Sequence, residues 1–439
     1  MSKHLASAAV GLVLSSVAPW AALAQDQPSH DVRAALEFAA TLLAADMPEK
    51  ALRTLNEVQR REPNNPWLGF YRGTAHVQLG APYAAMESFD RSLEILASLG
   101  DPDPELAERI GRLRSQARRQ VFGVSFSLGL AYDTNVTFLG DAGTLDIIAN
   151  QPDGRFGSSL RIDFAPLADR EQTLTFGARL SHSWHFGIEQ FNFQDYGGYL
   201  RYAHRLGRRW ELSLQYDYDL SYLGNEPFLS SHGLTPAVTY RWPVSANPLS
   251  LRETSIFYRF GAQDYLFEVD PAFDRDGIRH AVGIEQRLDL RPIRNADWLW
   301  SLSAGYRFES FATDGSEFDR FGHNFHLGVE VPLVNPANPA EYLLLPDKEL
   351  LFGFTADWQL NHYRNRSLSD ENSGRRSDLI TTLGFSLSQT LIDDPDLGQL
   401  VLHTVINWTN ANSNVTTQDR VSPFTYDKLI YGVQLAWSW

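Results

Sequence analysis

The chain ends in LIYGVQLAWSW (residues 429–439), in which every second residue carries a large apolar side chain. The apolar set shares one parity and consists of Tyr431, Val433, Leu435, Trp437 and Trp439. The residues between them are mostly small or polar, which is the period-two pattern of a strand with two different faces. A soluble strand would hide such a face in a core, whereas this one keeps it up to the final residue. We therefore expect the apolar face to meet lipid.

The same alternation begins after Gln120 and continues to the end of the chain. In WELSLQYDYDLSY (residues 210–222) one face carries Leu and Tyr, and the other carries Ser, Gln and Asp. FGVSFSLGLAYD (122–133) and WLWSLSAGYRF (298–308) divide in the same way. The polar face is unfavourable inside a dry sandwich, because buried polar groups need hydrogen-bonding partners. The pattern predicts a closed barrel with a wet lumen and a lipid-facing exterior, with a soluble all-β domain as the alternative.

About fourteen antiparallel strands are predicted, an even number as expected for the outer membrane of a Gram-negative bacterium. They span 121–138, 155–166, 172–187, 193–206, 210–223, 231–243, 251–265, 275–290, 297–311, 319–333, 348–363, 375–391, 398–409 and 425–439. If the preceding segment is periplasmic, the connections 139–154, 364–374 and 410–424 are extracellular. Connection 334–347 is long although it falls on the periplasmic side, and its prolines predict an ordered excursion.

The N-terminus, MSKHLASAAVGLVLSSVAPWAALAQDQ (residues 1–27), has the three parts of a secretory signal. Lys3 and His4 precede an apolar stretch, and Ala22-Leu23-Ala24 forms a small-x-small cleavage site. A retained anchor helix is the alternative. The predicted divisions are a signal peptide at 1–24, a periplasmic helical domain at 25–120 and the outer-membrane barrel at 121–439.

Composition limits the function classes. The formal net charge is −15, which argues against a nucleic-acid partner, because phosphate binding needs a basic surface. The chain contains no cysteine, so disulfides and thiolate metal or redox chemistry are excluded. Aromatic residues make up 12% of the chain, in keeping with aromatic girdles at both membrane interfaces.

Residues from about 31 to 120 have an apolar period near 3.6, which predicts helices. A 34-residue offset aligns Ala39 with Gly73, Asp46 with Gly80, Ala51 with Ala85 and Leu55 with Phe89. This pattern resembles the tetratricopeptide repeat (TPR), with two repeats near 32–65 and 66–99 and a capping helix at 105–120. An ordinary pair of helical hairpins is the alternative. The resemblance implies a groove for a partner protein.

Trp67, Phe70 and Arg72, on the first helix of the second repeat, are candidate contacts in a substrate groove. Packing between helices is the competing role for Trp67 and Phe70.

No catalytic or metal site is predicted, and no cofactor is expected. His182 and His185 are three residues apart on a strand, so their side chains point to opposite faces and cannot share a metal ion. His204 and His280 have no paired serine for lipid hydrolysis, and no phosphate-binding Gly-Lys-Ser/Thr loop occurs. We expect a protein that is not an enzyme.

Charged residues on the polar face are expected to line the lumen. The expected set includes Asp217, Asp219, Glu285 and Arg287, with Asp163, Arg161, Arg179, Arg201 and Arg259 nearby. Two interpretations stay open: a transverse electric field across a pore, or a hydrogen-bonded ladder that stiffens the barrel wall.

Two short motifs, one on the last strand and one on the first, resemble motifs of outer-membrane barrels. Gly432, Leu435, Trp437 and Trp439 resemble the C-terminal assembly signal of outer-membrane barrels, with Ile430 where that signal has a polar residue. The signal implies contact with the barrel assembly machinery. LGLAYDTNVTFLG (128–140) is similar to the Gly-x-x-x-Asp-Ser/Thr-Asn-Val/Ile entry of one barrel family, with the match at Asp133, Thr134, Asn135 and Val136.

That family is the surface lipoprotein assembly modifiers, the Slam proteins, which join N-terminal repeats to a fourteen-stranded barrel. The resemblance covers essentially all of the mature chain, although the helical domain here is shorter than is common in the family. It implies a protein in the outer membrane bilayer, with its N-terminal domain in the periplasm and a periplasmic protein or lipoprotein as substrate. Alternatives are an exopolysaccharide export porin with periplasmic TPRs, and a plain diffusion porin.

Overall fold

The computed structural model describes residues 30–99, 103–136, 151–243, 247–267, 271–290, 300–334, 350–367, 374–394, 397–415, 422 and 424–439. The predicted signal peptide and most of the predicted connections 139–154 and 334–347 lie outside these residues. The chain divides into two compact units. The first is Met1–Gly123 with Phe164–Leu174 and Asp394–Leu397, and the second is Val124–Asp163, Thr175–Asp393 and Gly398–Trp439.

Five helices are described in the first unit. They are α1 His30–Ala44, α2 Pro48–Arg61, α3 Pro66–Gln78, α4 Pro82–Ser98 and α5 Pro104–Val121. Each of α2 to α5 begins with proline, which suits the first helical position because the amide it lacks would have no partner in the helix. The side chains of Asn65 and Asp103 cap α3 and α5. Within the described residues, no helix is both long and apolar enough to cross a membrane.

The helices repeat their geometry at the 34-residue offset. The turn after α1 contains Asp46 with φ of 54°, and the turn after α3 contains Gly80 with φ of 68°. The aligned pairs Ala51/Ala85 and Leu55/Phe89 are all 0% exposed. Two consecutive helical hairpins are therefore built on the same turn and the same buried positions.

Gly73 and Tyr71 lie in the tightly packed core of the first unit. The ring of Phe89 occupies the space that a side chain at Gly73 would need, so α3 and α4 approach closely. Tyr71 is 8% exposed, and burial raises the pKa of its hydroxyl to about 12. This hydroxyl therefore stays protonated at any physiological pH.

Within the same unit, the helices hydrogen-bond to the two short segments grouped with them. The Tyr83 hydroxyl donates to the Ala165 carbonyl at 2.9 Å, and Glu49 forms an ion pair with Arg170 at 2.9 Å. Arg119 donates to the Asp394 carbonyl at 2.8 Å.

The strands form one closed antiparallel barrel of fourteen, which confirms the predicted fold class. The strands are β1 Phe122–Asp133, β2 Asp153–Ala168, β3 Gln172–His185, β4 Phe193–Leu206, β5 Trp210–Leu223, β6 Glu226–Arg241, β7 Leu249–Tyr265, β8 Gly277–Leu290, β9 Trp300–Thr313, β10 Arg320–Val334, β11 Leu350–Arg366, β12 Arg375–Asp394, β13 Gly398–Ser413 and β14 Tyr426–Ser438. Each strand pairs with its sequence neighbours, and β1 pairs with β14 to close the cylinder.

The outer face of the barrel is apolar. Leu130 and Ile256 are each 54% exposed, and most outward positions of the other strands carry Leu, Val, Ile or an aromatic residue. A large exposed apolar surface on a closed sheet is stable only against hydrocarbon. The alternation that the sequence displays thus separates a lipid face from a polar interior.

Aromatic side chains lie along the outer face of the barrel, at the strand ends and in the middle of the strands. Near the β4–β5 turn, the rings of Trp210, Tyr240 and Trp242 pack with centroid distances of 4.6 and 4.8 Å. Nearer the opposite end, tyrosine hydroxyls and histidines pair at 2.8, 2.6 and 2.9 Å in Tyr216–His232, Tyr258–His280 and Tyr306–His323. Such residues suit interfaces because one end is apolar and the other is hydrated.

Candidate functional site: the barrel interior

Inward-facing charges form clusters that cross several strands. In the first cluster, Glu211 on β5 is 4% exposed and faces three arginines. Its carboxylate lies 2.9 Å from Arg201, 2.6 Å from Arg241 and 3.6 Å from Arg205. Arg241 also lies 3.6 Å from Glu253. Two strands that flank β5 thus supply the cations that compensate one buried acid.

The second cluster, on β8, β9 and β10, also consists of one buried glutamate surrounded by three arginines. Glu309 is 0% exposed and accepts a hydrogen bond from Arg279. Arg320 and Arg307 lie 3.5 and 3.7 Å from the same carboxylate. Removing one partner from a buried set of this kind would leave a charge without compensation.

A third cluster involves β2 to β5. Arg161 contacts Asp163 at 2.8 Å and the Tyr199 hydroxyl at 3.0 Å, and that hydroxyl donates to Asp163. Arg179 bonds to Asp219. The Tyr199 ring lies over the inner face at Gly177, where a larger residue would displace it.

The structure brings all four predicted lumen charges onto the inward register. Asp217 is 7% exposed and accepts from Gln215 at 2.7 Å, and Asp219 is bonded to Arg179. Arg287 lies 4.0 Å from Glu253. Glu285, opposite Gly305, is exposed and has no ion pair within the described part of the barrel.

This interior offers a hydrated wall with interleaved charges of both signs. Carboxylates on β4, β5, β7, β8 and β9 form ion pairs with arginines on other strands, so charges of both signs are interleaved across this part of the wall. No group of histidine, aspartate or glutamate suited to a metal ion occurs among the described residues. The arrangement can pass or contact polar material, and its paired charges also hold neighbouring strands in register.

The seam between β1 and β14 is held at one end by the residues of the first-strand motif. Asp133 forms an ion pair with Lys428 at 2.8 Å, and the two side chains are 2% and 4% exposed. The Thr134 amide donates to the Leu429 carbonyl at 3.0 Å, and the Leu429 amide donates to the Thr134 hydroxyl at 2.8 Å.

Asn135 and Val136 complete that end of the seam. The side-chain Nδ2 of Asn135 donates to the Asp427 carbonyl at 3.3 Å. The backbone amide of Asn135 donates to Asp133 Oδ1 at 3.0 Å. The Val136 amide bonds to the Gln151 carbonyl at 2.9 Å. Lys428 could not be predicted from the sequence, because a single lysine in a strand has no distinctive spacing.

At the other end of the seam, the residues of the predicted assembly signal pair with β1. Leu435 is opposite Leu128, Trp437 is opposite Phe126, and both face outward. Trp439 exchanges two backbone hydrogen bonds with Val124, at 2.8 and 2.9 Å. Gly432 lies opposite Ala131, where a side chain would meet the backbone of β1. These positions close the barrel, and their role as a recognition signal stays a prediction.

The three candidate groove residues have different surroundings. Phe70 is 3% exposed in the core of the first unit, so its side chain packs between helices and is not available to a substrate. Trp67 is partly buried against the same core, with its ring 5.7 Å from that of Phe70 and 6.0 Å from that of Tyr71. Arg72 donates to Gln59 on α2.

The two neighbouring histidines on β3 have different partners. His182 hydrogen-bonds to the Tyr196 hydroxyl at 3.1 Å on the outer face. His185 is buried 3.6 Å from Asp153.

The two faces of the closed sheet define a transmembrane β-barrel with a charged interior, preceded in the chain by a helical unit. No family model and no curated protein sequence matches the chain. Among solved structures it is similar to a bacterial polysaccharide outer membrane secretin, with 12% identity and a TM-score of 0.37 over 72% of this chain and 98% of that one.

Two further solved structures match over the same share of this chain. CdiB from Acinetobacter baumannii has 9% identity and a TM-score of 0.33, over 72% of this chain and 60% of that one. The outer membrane protein opdK from Pseudomonas aeruginosa has 9% identity and a TM-score of 0.35, over 72% of this chain and 99% of that one.

Proposed function

We propose that this protein is a non-enzymatic outer-membrane factor that moves proteins, lipoproteins above all, to the cell surface. In this proposal a signal peptide at 1–24 directs export, the helical domain at 25–120 is periplasmic, and the barrel at 121–439 spans the outer membrane. The helical domain recruits the substrate, and the barrel provides the passage through its lumen or between its first and last strands.

One observation carries the proposal: a 34-residue helical repeat continues without a linker into a closed barrel with a hydrated interior. Helix α5 ends at Val121 and β1 begins at Phe122. Helical repeats of this length bind partner proteins in many TPR arrays, which a passive pore does not need. The two features together favour a substrate that is a protein.

The resemblance to Slam proteins adds a second line of support. Three of the residues that carry it, Asp133, Thr134 and Asn135, bond across the seam between β1 and β14. If these strands separate during transport, a motif at this seam would set how readily they part.

The test is deletion of the gene followed by proteomics of the cell surface. We expect one or more lipoproteins to disappear from the surface while their total cellular amount is unchanged, and a plasmid copy of the gene to restore them. An unchanged surface lipoprotein set would refute the proposal. Recovery of the substrate with the helical domain after cross-linking in intact cells would assign recruitment to that domain.

Export of a polysaccharide is the second candidate, favoured by a tyrosine ring on the inner wall of the barrel. Tyr199 lies between Arg161 and Asp163 on the inner face, and aromatic rings of this kind can stack against sugars. The described lumen otherwise alternates acids with arginines. Loss of extracellular polysaccharide in the deletion strain, with surface lipoproteins intact, would support this candidate. A defect confined to small-solute uptake would indicate a diffusion porin.

A further inference from the structure

An open cavity of about 500 Å³ lies on the outer face of the barrel, over β10, β11 and β12. Its lining includes Phe321, His323, His362, Arg364, Arg375 and Ser377. The strand register places His362 beside Phe321 on one side and Ser377 on the other. Two further lining residues, Tyr363 and Arg376, are buried, and both contact Asp378 on the inner side of the sheet. The cavity therefore lies mainly on the outer face.

On β11 and β12 the outward positions change from apolar to basic toward this cavity, whereas on β10 they are Phe325, His323 and Phe321. On β11 the outward sequence of side chains is Trp358, Leu360, His362 and Arg364. On β12 the order from the middle of the barrel is Leu379, Ser377 and Arg375. The cavity thus begins where the hydrocarbon-facing surface ends, at the level where lipid headgroups lie.

The cationic groups of the cavity are only partly neutralised. Arg364 is held by Asp319 at 3.0 Å and by the Ser310 hydroxyl at 2.5 Å. Arg375 is exposed, and no ion pair is formed by its guanidinium with any carboxylate in the described ranges. With the Arg376–Asp378 pair included, two acids face three arginines, and the cavity carries excess positive charge.

The two histidines add donors beside these arginines. His323 Nδ1 is bonded to the Tyr306 hydroxyl at 2.9 Å, and His362 Nδ1 to the Ser377 hydroxyl at 3.2 Å. These bonds orient both rings and leave Nε2 of each without a described partner. Guanidinium groups with adjacent imidazoles match the oxygens of a phosphate, because charge-assisted hydrogen bonds are the strongest that such a group can receive.

We propose that this cavity binds the phosphate of a membrane lipid, with the acyl chains lying along the apolar surface below it. The phosphate accepts hydrogen bonds from Arg375 and from the imidazoles. The ion pair between Arg364 and Asp319 forms the floor of the cavity. The apolar-to-basic order on β11 and β12 favours a lipid over free phosphate, because only a lipid fills both parts. With the orientation given under Proposed function, the lipid belongs to the outer leaflet. The site itself depends only on membrane insertion and not on the cargo.

The test uses the purified full-length protein in a non-ionic detergent and native mass spectrometry. The probes are bisphosphorylated lipid A, the same lipid after dephosphorylation, and inorganic phosphate. We expect retention of the phosphorylated lipid, weak retention of the dephosphorylated form, and no retained inorganic phosphate. Equal retention of the two lipids, or retention of inorganic phosphate alone, would overturn the proposal.

The variant Arg375→Gln should weaken binding of bisphosphorylated lipid A by about tenfold, because one charge-assisted contact is lost. Arg375→Lys should recover most of that loss. The matched control is Arg209→Gln, which removes an exposed arginine from the β4–β5 turn at the other end of the barrel. All three variants should retain heat-modifiable migration on SDS gels, which reports a folded barrel. Equal lipid affinity in Arg375→Gln and wild type would contradict the assignment.

Discussion

At the scale of single residues, the buried pair Asp133–Lys428 joins the two ends of the barrel sheet. A buried ion pair adds little net stability over an apolar pair, but removing one partner leaves a charge that water cannot reach. We expect Lys428→Met to destabilise the folded barrel by about 3–5 kcal/mol. The measurement is the temperature at which the heat-modifiable form is lost on SDS gels.

The matched control for that prediction is the double variant Asp133→Asn/Lys428→Met. It removes both charges, so much of the lost stability should return. If the single and double variants lose the same stability, the uncompensated charge is not the cause.

The burial of Tyr71 predicts that the stability of the helical unit depends on pH in the alkaline range. Its pKa is about 12 in the folded state against an ordinary value of 10, so the folded state holds the proton more tightly. The associated stability is fully present below pH 10 and is lost as the pH rises from 10 to about 12, to the extent of about 2 kcal/mol. Circular dichroism at alkaline pH should show less loss of helix in Tyr71→Phe than in wild type. Identical loss of helix with pH in Tyr71→Phe and wild type would show that ionisation of Tyr71 is not the cause.

At the scale of elements, the two helical turns give an internal comparison. Asp46 and Gly80 both have positive φ, a conformation that glycine adopts without steric cost. We expect Asp46→Gly to stabilise the helical unit by about 0.5 kcal/mol and Gly80→Ala to destabilise it by about 1 kcal/mol. Denaturant unfolding of the full chain, followed by the helical signal, measures both. Effects of the same sign at the two positions would show that the turns are not equivalent.

The elements also show what sequence patterns can predict. The 34-residue offset correctly paired buried residues and turns because each helical hairpin is a local structure with its own periodicity. The burial of Phe70 favours the predicted packing role over the alternative groove contact. Spacing within one helix does not reveal which face an adjacent helix covers, so the sequence leaves both roles open.

At the scale of the whole molecule, the charges of the lumen should govern ion selectivity. Because most lumen carboxylates are paired with arginines, we expect weak selectivity in planar bilayers. Glu285 is an exposed lumen acid without an ion pair in the described part of the barrel, so Glu285→Lys should shift the permeability toward anions severalfold. Glu57→Lys, the same charge change on exposed α2, is the control. A shift of equal size in both variants would exclude a specific lumen effect.

The sequence by itself determined the barrel, its strand number and the two faces of its wall. Alternation with period two is a local property, and lipid outside with water inside requires it in every strand. The tertiary structure decided which charges meet. Glu211, Glu309 and Lys428 find their partners only through the register between strands and, for Lys428, through closure of segments 295 residues apart. A single sequence carries no periodic signal for such pairs, because their geometry is set by the sheet as a whole.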